Sequence, residues 1–276
     1  MPAGQRRRHA TTYLPVGNVV TPISRPLPDR LLGIWAHPDD ECYLSAGLMA
    51  RVVGAGGSVR LICATSGERG TDDRQLFESD RFAALRRDEL RASLAVLGVD
   101  DVRFLGIGDG ACELVHDDTI VADLADEVAT FEPDVVVTFG PDGITGHPDH
   151  LAVSRWATVA SMERPEVELL YATMTNEHVE RYRSLHDELG LFGDFADGRP
   201  RSVANCDVAL QCALDHGELI RKRRALACHG SQTAKLAALV GESTYFSWWG
   251  IESFRRPTAS ERSSAIRRSS LVGAGT

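Results

Sequence analysis

Lysine is almost missing from this 276-residue chain: only Lys222 and Lys235 interrupt a set of 30 basic residues that is otherwise arginine, a bias that reads as coding preference. Other absences exclude more. No apolar run reaches the roughly 18 residues that a membrane span requires, and the opening MPAGQRRRHATTYLPVGNVV has basic residues without an apolar signal core. The chain is therefore read as cytoplasmic, without membrane insertion. The six cysteines, Cys42, Cys63, Cys112, Cys206, Cys212 and Cys228, include no Cys-x-x-Cys pair, which argues against a zinc ribbon or a thioredoxin-like motif and for reduced, buried thiols. No glycine-rich turn follows the first predicted strand, and the only glycine cluster, GAGG at 54–57, falls after the helix beyond it. A pyrophosphate could not approach the backbone there, so no nucleotide cofactor is expected.

What remains is a chain with 43% hydrophobic residues, enough for a sizeable core. Its charge is uneven. Five arginines stand against Asp29 over residues 1–30 and five against Glu261 over 255–276, leaving about −17 on the body of a chain whose formal net charge is −9. An acidic body disfavours nucleic acid, which selects basic patches. The basic ends read as a flexible or loosely packed segment over 1–29 and a disordered tail over 257–276, flanking one domain over 30–256.

Within that domain, short β-like runs (RLLGIWA at 30–36, SVRLICATS at 58–66, VRFLGI at 102–107, PDVVVTFG at 133–140 and VELLYATM at 167–174) alternate with helical patterns. One such pattern, 80–98, puts Phe82, Leu85, Leu90, Leu94 and Leu97 near one face and ends on Gly98, a natural C-cap. The alternation predicts an α/β, Rossmann-like fold: a mainly parallel sheet with helices on both faces. Beyond residue 175 the pattern loosens into an irregular C-terminal lobe, with a last strand in CDVALQC and a helix over 214–230.

Two clusters carry chemistry. HPDDE, residues 37–41, follows the first strand, and GHPDH, residues 146–150, follows the fourth, so both leave the carboxyl edge of a parallel sheet, where ligands bind. Taken singly, PDDE is a plausible helix opening and HPDH a plausible turn. Together they read as a metal site, because three consecutive carboxylates are costly to desolvate without a cation. His37 and Asp40 converge from one tight turn, and His147 or His150 supplies a third ligand, leaving a position open for water as in catalytic zinc. Fe²⁺ would also accept two histidines and one aspartate.

AHPDDE, TSGERG, RRDEL before LGV, GHPDH and KRRALACHGSQ, in this order over residues 31 to about 250, resemble the LmbE-like superfamily of N-acetylglucosaminyl-phosphatidylinositol de-N-acetylases. The resemblance implies zinc at the strand ends and removal of an N-acyl group from a small-molecule amino-sugar glycoconjugate. It implies His37, Asp40 and His150 as zinc ligands, Asp39 as general base and His147 as partner of the developing oxyanion. It also places Glu68, Arg86 and Asp109 along the sugar cleft. Glu41 is read as structural, His229 matches a motif without an assigned role, and Trp248 and Trp249 are read as aromatic core, with stacking on a sugar as the alternative. A metallophosphoesterase and a non-catalytic carbohydrate-binding protein on the same fold are the competing readings, and homo-oligomerisation is left open.

Overall fold

The computed structural model describes residues 26–71, 73, 80–193, 195 and 198–273. Five strands run parallel in the order β3-β2-β1-β4-β5: β1 (Arg30–Trp35), β2 (Ser58–Thr65), β3 (Asp101–Ile107), β4 (Val135–Phe139) and β5 (Glu168–Thr175). The crossovers are α1 (Asp40–Gly54), α2 (Asp80–Leu97), α3 (Asp117–Phe131) and α4 (Pro148–Ser161). β1 and β4 are buried almost throughout, as strands covered on both faces must be.

The sheet grows from β1 first toward β2 and β3 and then, after a crossover, toward β4 on the other side. The β1/β4 boundary is thus a topological switch point, and its carboxyl end opens the crevice in which such sheets bind ligands. HPDDE leaves β1 and GHPDH follows β4 at that boundary.

Local sequence explains the element ends. Gly98 takes φ 84°, and the N–H groups of Gly98 and Val99 return to the Ala95 and Leu94 carbonyls, a Schellman stop for α2. Leu90, Leu94 and Leu97 of α2 are buried, whereas Leu85, expected on the same face, is 46% exposed.

The C-terminal lobe consists of short elements. α5 (Asn176–Arg181) and α6 (Arg183–Leu189) lead to β6 (Ser202–Val203) and β7 (Val208–Ala213), followed by α7 (His216–Cys228), α8 (Gly230–Val240), α9 (Glu242–Trp248) and β8 (Ile251–Arg255). β8 pairs antiparallel with both β5 and β7 and so extends the sheet. Glu252 of β8 accepts the N–H groups of Gly47 and Leu48 in α1, while Lys222 of α7 donates to Glu252 and to the Tyr43 carbonyl. This buried ion pair fastens the lobe to the middle of α1.

The expected disordered tail over 257–276 is corrected. Residues Ala259–Gly273 form α10, which packs on α3 and α4. Thr258 and Glu261 make a reciprocal capping box, and Glu261 also forms two hydrogen bonds with Arg255, at 2.7 and 2.9 Å. Most of segment 1–29 lies outside the described residues. Cys42, Cys63, Cys112 and Cys212 are buried, whereas Cys206 is exposed and Cys228 half-buried.

Candidate metal centre

The three consecutive carboxylates each find a different counter-charge. Asp40 lies 3.5 Å from His37 Nδ1 and 3.4 Å from His150 Nε2. Asp39 lies 3.1 Å from Arg86 Nη2, and Glu41 is 2.9 Å from His229 Nε2. One turn therefore disperses its acids in three directions. Although Asp39 precedes α1 at the N-cap position, its side chain makes no capping hydrogen bond, so the helix-opening reading of PDDE does not account for it.

Among the described residues, three groups of ligand-type side chains bring their donor atoms within 4.8 Å of one another: His37, His147 and His150; His37, Asp109 and Asp149; and Glu41, Cys42 and His229. Hydrogen bonds separate them. Asp149 accepts the N–H groups of Gly110 and Cys112 at 2.7 and 3.1 Å, Asp109 accepts the N–H of Arg69 at 2.8 Å, and both carboxylates face His37 Nε2, at 3.1 and 3.2 Å. These carboxylates are engaged as acceptors, and His37 Nε2 is their proton donor. In the third group burial pushes the Cys42 thiol well above its ordinary pKa, so it stays protonated.

The first group is different. With Nε2 protonated, His37 directs the Nδ1 lone pair inward. His150 Nδ1 donates to the Gly143 carbonyl at 2.8 Å, so its Nε2 lone pair also points inward, 3.1 Å from His37 Nδ1. Two lone pairs at that distance repel unless a proton or a metal ion lies between them. With Asp40 completing the triangle, the three edges are 3.1, 3.4 and 3.5 Å. A tetrahedral ion bound at about 2.0–2.1 Å spaces its ligands roughly 3.4 Å apart, so the donor set fits zinc. The carboxylates behind His37 and the carbonyl behind His150 are the outer partners that fix a ligand's tautomer. Phe139, the last residue of β4, stacks on the His150 ring at 4.1 Å.

The electrostatics agree with this division. Burial lowers the His37 pKa, but its hydrogen bonds to Asp109, Asp149 and Asp40 outweigh it and raise the pKa well above the ordinary value, so that in the metal-free chain a proton stands where a metal ion would bind. Burial lowers His150 to about 4. For Asp40 burial acts upward, yet His150 and His37 bring the carboxyl down to about 2. Asp39 moves the other way: burial, with Asp40 nearby, raises it to about 7 against the pull of Arg86. Adjacent aspartates thus sit in opposite electrostatic environments.

His147 caps α4, its Nδ1 accepting the Asp149 N–H at 3.2 Å. Its Nε2 must then carry the proton of a neutral ring. The ring lies 4.7 Å from His37 and 5.1 Å from His150, centroid to centroid.

The expected cleft residues fare unequally. Arg86 is 3% exposed and lies beneath the HPDD turn, where it donates to the Pro38 and Gly67 carbonyls and to Asp39. A Cβ on Gly67 would stand 1.9 Å from the Arg86 Nη1, so the glycine of TSGERG makes room for this passage. Asp109 backs His37 and is 7% exposed. Glu68 is half-buried and accepts the Asp109 N–H at 2.8 Å. Trp248 is fully buried, as expected of core. Asp149 was not anticipated, although it lies inside the HPDH motif.

The family model for PIG-L, described as GlcNAc-PI de-N-acetylase, matches residues 32–161. The 1D-myo-inositol 2-acetamido-2-deoxy-alpha-D-glucopyranoside deacetylase of Actinosynnema mirum is 32% identical over 244 residues, covering 79% of this chain and 86% of that protein. The protein of the same name from Mycobacterium sp. strain KMS is 36% identical over 169 residues, so this match spans only about half of either chain, 54% of each. The N,N'-diacetylchitobiose deacetylase of Pyrococcus horikoshii superposes with a TM-score of 0.58 at 23% identity, covering 83% of both chains, a likeness of fold.

Proposed function

Because the chain belongs to the PIG-L family of GlcNAc-PI de-N-acetylases, we propose that it hydrolyses the N-acetyl amide of a small amino-sugar conjugate, releasing a free amine and acetate. The observation that carries this reading is the inward convergence of His37 Nδ1, Asp40 and His150 Nε2 beside a carboxylate of raised pKa. Those three atoms would hold Zn²⁺ or Fe²⁺, which would supply Lewis acidity and lower the pKa of a bound water to near 7.

The remaining work falls to the protein. Asp39 accepts a proton from the attacking water as its oxygen bonds to the acyl carbon, and a carboxylate titrating near neutrality suits that transfer. His147 presents its Nε2–H to the carbonyl oxygen as charge develops there. When the C–N bond breaks, the proton on Asp39 passes to the departing nitrogen. Arg86 holds Asp39 in place, and Glu68, at the rim, is the remaining candidate for a polar contact with the sugar.

A two-metal phosphoesterase would need further free carboxylates beside the triad, and Asp109 and Asp149 are committed to backbone N–H groups and His37. We place the enzyme in the cytoplasm, acting on a small glycoconjugate. Its relatives' names make 1D-myo-inositol 2-acetamido-2-deoxy-alpha-D-glucopyranoside the first compound to try, with N,N'-diacetylchitobiose second.

The test measures metal per chain by elemental mass spectrometry and amine release from these two compounds, in wild type and His150→Ala. Near one zinc or iron per wild-type chain, much less in the variant, and amine release from the wild type alone is the expected result. Equal, negligible metal in both proteins after zinc is offered would overturn the reading.

A further inference from the structure

The motif CHGSQ, residues 228–232, is unused by the chemistry above, yet it reaches three separate parts of the site. His229 Nε2 contacts Glu41 Oε1 at 2.9 Å. The backbone N–H and hydroxyl of Ser231 donate to Glu89 of α2 at 2.8 and 2.6 Å, and Gln232 Nε2 donates to the carbonyl of Gly70, the last residue of TSGERG, at 2.9 Å. This joint between α7 and α8 thus grips the start of α1, the face of α2 and the loop after β2.

The first grip bears on the base. Asp39 has φ 118° and ψ −29°, a conformation that an L residue rarely adopts. Such backbone costs about 1–3 kcal/mol and persists only where the surroundings over-determine it. Here the Asp39 N–H donates to Glu41 Oε2 at 2.9 Å, while the preceding Pro38 carbonyl is held by Arg86. Glu41 is fully buried, and its other oxygen is held by His229, with the Ser93 hydroxyl at 3.4 Å. His229 is itself 0% exposed and anchored, its N–H returning to the Leu226 carbonyl and its own carbonyl accepting from Gln232 and Thr233. Its Nδ1 has no hydrogen-bond partner, so what His229 supplies is a single N–H at Nε2.

We propose that His229 is a positioning residue: acting through Glu41, it fixes the main chain of Asp39 in its left-handed turn and thereby aims the Asp39 carboxylate into the site. The naming of Asp39 as base rests on the function proposed above; the mechanical coupling of His229 to Asp39 does not.

Two variants separate these claims. His229→Leu removes the donor, and His229→Gln replaces it with an amide N–H of similar reach. In the zinc-loaded full chain, hydrogen exchange of the Asp39 amide, followed by nuclear magnetic resonance, reads the coupling without any substrate. We expect exchange in His229→Leu to be at least about tenfold faster than in wild type, with metal content unchanged, and near wild type in His229→Gln. With N,N'-diacetylchitobiose as probe, kcat of His229→Leu should fall about a hundredfold at nearly constant KM, the cost of a misplaced reacting group, and His229→Gln should recover most of it. Unaltered Asp39 exchange in His229→Leu, or equal damage in both variants, overturns the proposal. Should His229→Leu not fold, Glu41→Ala decides the same point, because it removes the acceptor of both the Asp39 N–H and His229; undiminished protection of the Asp39 amide would refute the coupling. Failure of the wild type to release amine would count against the proposed function alone, since the exchange measurement stands without it.

Discussion

Two histidine clusters, one at the sheet edge and one in the C-terminal lobe, are built for opposite ends. At the sheet edge, His37, His147 and His150 have ring centroids 4.7–5.1 Å apart; in the C-terminal lobe, His178 and His186 lie 6.4 Å apart beside Tyr182 and Trp248. Proximity alone does not distinguish them. The outward nitrogens do: in the first cluster each is occupied, by the carboxylates behind His37, the Gly143 carbonyl behind His150 and the Asp149 N–H behind His147, which leaves ligand or donor atoms facing one space. In the second, His186 Nε2 accepts the Trp248 Nε1–H at 3.0 Å and the rings pack on aromatic faces. Burial there lowers His178 to about 3 and His186 to about 4. A histidine becomes a ligand through what holds its far side.

The sharpest way to break the comparison is to remove one histidine from each cluster. His150→Ala should lose most of its metal and at least about a thousandfold in amine release, because a three-ligand site cannot spare one. His186→Gln, which keeps an acceptor for Trp248, should bind metal as the wild type does. Elemental analysis of both proteins checks this, and metal loss in His186→Gln would dissolve the distinction.

Next in size is Asp39→Asn, which should retain metal and lose about a thousandfold or more in turnover, as expected when a general base is removed beside an intact ion. Asparagine tolerates positive φ, so the turn survives. Stability supplies a second readout. The Asp39 pKa is about 7 in the folded, metal-free chain against 3.8 for the free side chain. Between those values the unfolded chain has released its proton and the folded chain has not, so the residue costs stability as pH rises, fully so above about 7. Metal-free Asp39→Asn should therefore melt higher than metal-free wild type at pH 8, by at most about 4 kcal/mol at roughly 1.4 kcal/mol per unit, with the gain gone near pH 4.

His147→Ala tests the third member of the first cluster, whose inner atom is read as a donor, not a ligand. Metal should stay, and kcat should fall by about a hundredfold with KM little changed, the usual size for one lost oxyanion donor. A pure rise in KM would make His147 a binding residue, and metal loss would make it a ligand.

How much of this was legible follows from what each signal depends on. The parallel sheet and the two strand-end motifs follow from local patterns, and the order of His37, Asp40 and His150 needs only that both loops leave one edge. Arg86 and Asp109 were assigned to the sugar cleft because a polar side chain in a loop or helix beside a site looks the same in sequence whether it faces substrate or props a ligand. Only the third dimension shows Arg86 under Pro38 and Asp109 behind His37. Asp149 was overlooked although it lies between the two histidines of HPDH, since its partners, Gly110 and Cys112, come from a different loop. The C-terminal helix, by contrast, was announced locally: TASE, residues 258–261, is a capping box, but the surrounding serines and arginines hid the helix behind it. β8 escaped notice because its short run, IESFR, sets Glu252 against a lysine 30 positions earlier.

The smallest expected effect belongs to the second cluster and follows from its depressed pKa values. An unfolded histidine titrates near 6.5, whereas His178 and His186 stay neutral in the fold down to about 3 and about 4. Below pH 6.5 the unfolded chain binds protons that the folded chain does not, so these two residues erode stability as the solution is acidified, and the loss levels off only once the folded rings also protonate. His186→Gln removes one of the two sites and should flatten the fall in melting temperature between pH 6.5 and about 4, with little change at pH 8. Metal-free protein is the proper sample, because proton competition at His37 and His150 would otherwise add its own slope. An unchanged pH profile in His186→Gln would mean that the lobe's histidines are not held neutral by burial, and the contrast between the two clusters would then rest on hydrogen bonding alone.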